Sequence, residues 1–239
     1  MKKIIVFTAT YNESENIINF IKSVDTIDID LTLLIIDDNS PDGTSKIIEG
    51  YTPKNIKLLL VKREKKLGLD TAHKLAYTYA LDNKFNYLIT MDADMSHDPK
   101  KIPAFINNLS LSKFVIGSRY AEGGKCKMKW SRLFLSYYGN KLIKFVLGIH
   151  SSEFTTSFRG FNLDKLGGFN LNNVKSAGYS FFMETIYQLD KLNVIIHEVP
   201  IEFLDRKYGK SKIPKIELLR TLFNLFKIKF LSWYEAINK

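Results

Sequence analysis

The sequence predicts an α/β protein built on a doubly wound, mostly parallel sheet. Short runs rich in Ile, Leu and Val alternate with helix-period segments through the first half of the chain. Polar, acid-bearing loops follow three of those runs, at the strand ends where open α/β sheets bind ligands. A length of 239 residues at 45% hydrophobic content suits one large domain or two small ones and excludes a disordered chain.

The elements follow in order. Strands are expected over 4–9, 31–36, 56–61, 87–91 and 114–117, with helices over 14–24, 43–49, 68–83 and 99–109 between them. Ser14 is placed to cap the first helix, and Asp98 before Pro99 is a start signal for the fourth. The second half is less regular. It offers an aromatic, amphipathic helix over 130–147, a strand over 158–162, a helix over 181–192 and a strand over 194–203. A long pattern then spans 214–237, where Ile216, Leu219, Phe223, Phe226, Phe230, Trp233 and Ile237 recur at three- and four-residue steps. Arg220, Asn224 and Lys227 fall on another face. That stripe suits either packing on the core or an interfacial helix with its apolar face in a bilayer. With no repeat, low-complexity tract or linker, the expected organisation is one catalytic domain over 1–213 and a C-terminal amphipathic helix over 214–239.

Composition narrows the class. A single cysteine, Cys126, leaves no internal disulfide and fits a reducing compartment; the flanking Lys125 and Lys127 would lower its pKa. The N-terminus reads as a first strand rather than a signal peptide, and no run of about 18 apolar residues suggests a membrane span. The net charge of +10 is uneven: residues 118–150 carry seven Lys/Arg against one acid, and residues 206–239 carry nine against two. The remainder is slightly acidic, so the basic character belongs to two segments, which suit a phosphate-rich substrate or an anionic membrane surface.

Three loops carry candidate chemistry: Thr10-Tyr11-Asn12-Glu13, the run Asp37 to Thr44, and Asp92-Ala93-Asp94. Taken singly, each could be an ordinary βα loop, since Asp, Asn and Ser favour turns and caps. Together on one sheet edge they form a shared site, and Asp92 with Asp94 can hold a divalent cation through oxygen. No Gly-x-Gly-x-x-Gly or Gly-Lys-Ser/Thr loop is present, which removes the main support for dinucleotide and P-loop readings. His97 is either a ligand or a loop-packing residue.

These residues resemble the polyprenyl-phosphate sugar transferases of glycosyltransferase family 2, nearest to dolichyl-phosphate mannose synthases without a transmembrane domain. The matching runs are Ala9 to Glu13, Ile36 to Thr44, Met91 to Asp94, Gly117 to Tyr120, Thr156 to Arg159, Gly178 to Phe181 with Met183-Glu184, Glu198 to Ile201 and Phe203 to Lys212. The resemblance implies a GT-A-type, Rossmann-like sheet. It implies that Ala9, Tyr11, Glu13 and Asp38 contact base and ribose, and that Asp92, Ala93 and Asp94 sit at ribose and diphosphate. Asp94 would be the firmest metal ligand, with Ser96 and Asp92 beside it, for Mg²⁺ or Mn²⁺. Arg119, Arg206 and Lys212 would surround the phosphates, and with Asp94 they form the expected catalytic set. The chain departs from the pattern at Ala9, where Pro is usual, at Asp70, and at Glu153, where Asp is usual; these weaken inference about the donor sugar.

The implied activity is inverting transfer of a hexose from a nucleotide sugar to polyprenyl or dolichyl phosphate, peripherally at the cytosolic face of a membrane, either alone or with a membrane-embedded partner subunit. GDP-mannose is the first donor and UDP-glucose the second. Two rival readings are a family-2 transferase acting on a glycan hydroxyl and a basic nucleic-acid-binding protein; no nucleic-acid motif supports the latter, so nucleic acid is not an expected partner.

Overall fold

The computed structural model describes residues 2–204 and 217–237. In chain order the elements are β1 (Ile4–Thr10), α1 (Ile17–Asp25), β2 (Thr32–Asp37), α2 (Thr44–Glu49), β3 (Lys57–Lys62), α3 (Leu69–Asp82), β4 (Tyr87–Thr90), α4 (Ile102–Leu111) and β5 (Phe114–Ser118). There follow β6 (Lys125–Lys127), α5 (Trp130–Leu147), β7 (Arg159–Asn162), α6 (Tyr179–Lys191), β8 (Ile196–Pro200), β9 (Glu202–Leu204) and α7 (Glu217–Ile237).

Seven strands form one sheet in the order β3-β2-β1-β4-β7-β5-β8, and β7 alone runs antiparallel to its neighbours β4 and β5. Both faces are covered, which is why the strands are apolar throughout. In β1, Ile5 and Phe7 point into a core shared with α3, α5, α6 and α7, while Ile4 and Val6 point into a second core shared with α1, α2 and α4. The chain leaves β1 for β2 and β3 and returns to β4 on the other side, so the loops after β1 and β4 flank a topological switch point.

Two local expectations change, and one element is new. Ser14 does not cap α1: the cap position is Asn16, and the Glu13 carbonyl takes the amides of Asn16 and Ile17 while Ser14 N donates to Asp42. The strand expected over 194–203 divides. β8 pairs with β5, Pro200 has no N–H to continue the ladder, and Ile201 bonds to Ser118 O and Lys125 N as the chain crosses over. β9 then pairs with β6 in a separate two-stranded ribbon that the sequence did not announce. Lys125-Cys126-Lys127 is too short and too polar to signal a strand; its pairing makes it one.

α7 packs against α5 and α6. Thr221, Leu225 and Ile228 are buried, whereas Leu219, Phe223, Phe226, Phe230, Trp233 and Ile237 are each more than half exposed. The aromatic stripe picked out by periodicity is thus the outward face. Among the described residues, no helix is long and apolar enough to cross a membrane.

Candidate active site

A cavity of about 720 Å³ opens at the carboxyl ends of β1, β2, β4 and β5. Ala9, Tyr11, Glu13, Asp38, Asp92, Ala93, Asp94, Ser96 and Arg119 all line it. Arg206 and Lys212, together with Ile216, lie outside the described residues.

The β1 and β2 loops brace each other. Asn12 N donates to Ser40 Oγ and Glu13 N to Thr44 Oγ1, both at 3.0 Å. Asp37 is fully buried and accepts from Thr10 Oγ1, Ser40 and Ser45; burial would raise its pKa, but these donors outweigh burial and hold it low. Asp38 pairs with Arg63 and accepts from the amides of Leu67 and Gly68 at 3.2 and 3.1 Å. One carboxylate therefore fixes both the floor of the cavity and the turn into α3. Lys66 Nζ sits 4.1 Å from the centre of the Tyr11 ring, a cation on an aromatic face at the cavity rim.

The β4 loop is more strained. Met95 lies at φ 62, a left-handed conformation that costs a non-glycine residue roughly 1–2 kcal/mol. It is held by Ser96 N donating to Asp94 Oδ1 at 3.0 Å and by Leu204 N donating to Ser96 O at 3.1 Å. Asp94 is buried, while the Asp92 side chain is 38% exposed and accepts from Ser157 Oγ at 2.6 Å. Ser96 Oγ is buried with no hydrogen-bond partner among the described residues. An unspent hydroxyl beside two carboxylates fits a hard divalent cation with oxygen ligands. Among the described residues no group of three or more acidic, His or Cys side chains is placed to hold a metal ion by itself. The protein's share of such a site would be one or two carboxylates and a hydroxyl, the kind of set with which Mg²⁺ is usually held alongside substrate phosphates.

His97 belongs to the loop's packing and not to the ligand set. Its Nδ1 accepts from Asp92 N at 3.2 Å, so Nε2 carries the proton and donates to Thr156 Oγ1 at 3.2 Å. The ring lies between Phe158 and Phe203, and burial keeps it neutral by lowering its pKa.

Arg119, at the tip of β5, is buried and locked. Its Nε and Nη2 donate to the two oxygens of Glu153 at 2.7 and 2.8 Å, and Nη2 also reaches Thr155 Oγ1 at 3.0 Å. Burial would raise the Glu153 pKa, but the Arg119 guanidinium and the Thr155 donors keep it below the ordinary 4.5. Arg119 is correspondingly raised. Glu153 entered the sequence reading only as a departure and Ser157 only within a matching run; their roles, and that of Thr155, escaped it because their partners lie far away along the chain.

The cavity's far wall comes from α5 and α7. Arg132, Leu135, Ser136 and Gly139 of α5 line it, with Leu218 and Thr221 of α7. Gly178, at φ 62 before α6, is required there: a side chain would collide with the Glu217 carboxylate, which accepts from Tyr179 N at 3.1 Å. The aromatic character of α5 was the signal for this wall, but not for which face turns inward. Cys126 corrects another expectation, since burial raises its pKa despite the adjacent lysines.

A sheet of this order, with acidic loops and a buried arginine around one cavity at its strand ends, has the GT-A-type fold. The chain belongs to glycosyl transferase family 2, whose sequence profile matches residues 5–167. It is 30% identical to an undecaprenyl-phosphate mannosyltransferase from Micrococcus luteus over 88% of this chain and 87% of the relative. It is 29% identical to a polyprenol monophosphomannose synthase from Mycolicibacterium smegmatis over 94% and 86%. Among solved structures it is similar to glucosyl-3-phosphoglycerate synthase from Mycobacterium tuberculosis, crystallised with Mn²⁺ and UDP (TM-score 0.67, 15% identity, 95% of this chain and 79% of that one). It is also similar to a mannosyltransferase from Pyrobaculum calidifontis bound to GDP-mannose and Mn²⁺ (TM-score 0.58, 17% identity, 99% and 64%).

Proposed function

We propose that this protein transfers a mannosyl group from GDP-mannose to a polyprenyl phosphate with inversion, using Mg²⁺ or Mn²⁺ at a membrane surface. The observation that carries this reading is one cavity with a carboxylate end, Asp92 and Asp94, and a basic and apolar wall, Arg119, Arg132 and α5. Relatives at about 30% identity named for mannosyl transfer to polyprenyl carriers support the substrate class.

The chemistry follows from charge. Asp94, Ser96 and Asp92 would hold the cation, which would supply charge stabilisation to the departing diphosphate. Tyr11, Glu13 and Asp38 line the end of the cavity where base and ribose would lie. Glu153 keeps the Arg119 fork pre-aimed, so little reorganisation is needed as negative charge grows. A phosphate monoester has a second pKa of about 6 and is largely dianionic at pH 7, so the acceptor needs no general base. Its obstacle is repulsion from the donor, which Arg119 and Arg132 would relieve, with Arg206 and Lys212 as proposed additions. The exposed aromatic faces of α7 and of α5, where Trp130, Phe134 and Tyr138 stack in series, would seat in the interfacial region, with Lys141, Lys144, Lys227 and Lys229 toward anionic headgroups.

The test supplies the purified chain with Mg²⁺ or Mn²⁺, polyprenyl phosphate and labelled GDP-mannose or UDP-glucose in parallel. Label should enter the organic phase from GDP-mannose. Transfer from UDP-glucose alone would reassign the donor, and no transfer from either would sink the reading.

A further inference from the structure

Arg159 has no part in the scheme above, yet it is among the most deeply buried side chains of the protein. Its Nε donates to Thr156 O at 2.8 Å and its Nη2 to Phe154 O at 2.9 Å; Nη1 has no hydrogen-bond partner among the described residues. Among the described residues no carboxylate forms an ion pair with it, the Phe182 ring lies 4.8 Å away, and burial pushes its pKa down to about 9, against the more distant Glu153 charge. A buried cation of this kind is costly, and an apolar side chain of similar volume would fill the space at less cost. What an apolar side chain could not do is hold two backbone carbonyls of one loop.

That loop is connected to the Arg119 cation, to the Asp92 carboxylate and to His97 between them in the chain. Glu153 and Thr155 hold Arg119, Thr156 meets His97, and Ser157 donates to Asp92. Ser157 O in turn takes the Thr90 hydroxyl at the end of β4 at 2.5 Å. We propose that residues 153–157, fastened from below by Arg159, form one positioning unit that sets the Arg119 cation and the Asp92 carboxylate together. The site's grip on diphosphate and its grip on metal are then coupled through the protein and not only through the shared ligand. Arg159 is a positioning residue here, acting through Phe154 and Thr156. What Arg119 and Asp92 hold rests on the mannosyl-transfer reading; their mechanical coupling does not.

Hydrogen exchange on the full chain tests the coupling without any ligand. Glu153→Gln touches Arg119 but not Asp92, yet it should lower amide protection across 92–97 by tenfold or more. Ser157→Ala touches Asp92 but not Arg119, yet it should do the same across 118–121. Val24→Ala, on α1 and outside this hydrogen-bond network, is the control for general loosening and should leave both segments protected. Effects confined to each variant's own contacts would overturn the proposal. Affinities give the second measurement, for GDP without metal and for Mn²⁺ alone. Arg159→Met should weaken both about tenfold and Arg159→Lys should recover part. The Glu153→Gln/Ser157→Ala double variant should fall about fivefold short of the product of the single losses, as members of one network do. Simple multiplication of the losses would overturn the coupling, and that cycle stands even if Arg159→Met does not fold. A wild-type chain that binds neither GDP nor UDP would sink the mannosyl-transfer reading and leave the exchange result as the test of the unit.

Discussion

On the β1–β2 side of the cavity part of the bracing lies within one loop, where Asp42 meets Thr44 two residues on and Asp37 meets Ser40 and Ser45 within eight. The rest joins the loops of adjacent strands, as from Glu13 to Thr44 across 31 residues. On the β5–α7 side the same work is done over long distances. Arg119 finds Glu153 across 34 residues, and Asp92 takes its hydroxyl from Ser157 across 65. The first wall consists of neighbouring βα loops that brace themselves and each other. The second exists only once β7 has inserted antiparallel between β4 and β5 and carried residues 153–157 to the strand tips. A change on the first side should therefore act locally, and one on the second should spread.

The sharpest test of that contrast is Asp94→Asn. Loss of one charge at the proposed metal position should lower transfer on the order of 10³-fold while the fold persists; activity near wild type would show that no cation is held there. Glu153→Ala should be the most destabilising change on the long-range side. It leaves Arg119 buried without its partner, a loss of about 3–5 kcal/mol in denaturant unfolding, and a loss under 1 kcal/mol would break the comparison.

α7 offers the same contrast on one helix. Leu225→Ala, on the buried face, should cost about 2–5 kcal/mol. The pair Phe223→Ser and Phe230→Ser, on the exposed face, should leave the melting temperature nearly unchanged but release the protein from anionic liposomes in flotation. Unfolding by the second pair would show that this face packs on protein.

The smallest effect is in pH. Burial among Phe7, Phe181 and Phe182, with Arg159 adding to it, lowers the His73 pKa from 6.5 to about 3. The unfolded chain binds that proton below 6.5 and the folded one does not, so stability falls as pH drops below 6.5 and levels off only near the folded value. At pH 5 the loss from His73 is about 2 kcal/mol, and His73→Phe should flatten this part of the curve.

Much of the donor side was legible beforehand because turn chemistry and strand periodicity are short-range. Asp38, Asp92 and Asp94 could be placed at strand tips from their neighbours alone, and all reach the cavity. Arg119 was legible as a motif but not as a buried pair, since nothing near it announces Glu153. The periodicity of α7 revealed a helix with an aromatic stripe but not the direction of the stripe, because packing on a core and seating on a membrane require the same spacing.

By itself, the sequence determined the alternation of strand and helix, the acidic loops and the uneven charge, all properties that a few adjacent residues impose through dihedral preference and solvation. Only the tertiary structure decided the antiparallel place of β7, the ribbon of β6 and β9, the tie of Arg119 to Glu153 and the outward turn of the α7 aromatics. Each of these depends on which distant surfaces meet, and burial makes that choice for the chain as a whole rather than residue by residue.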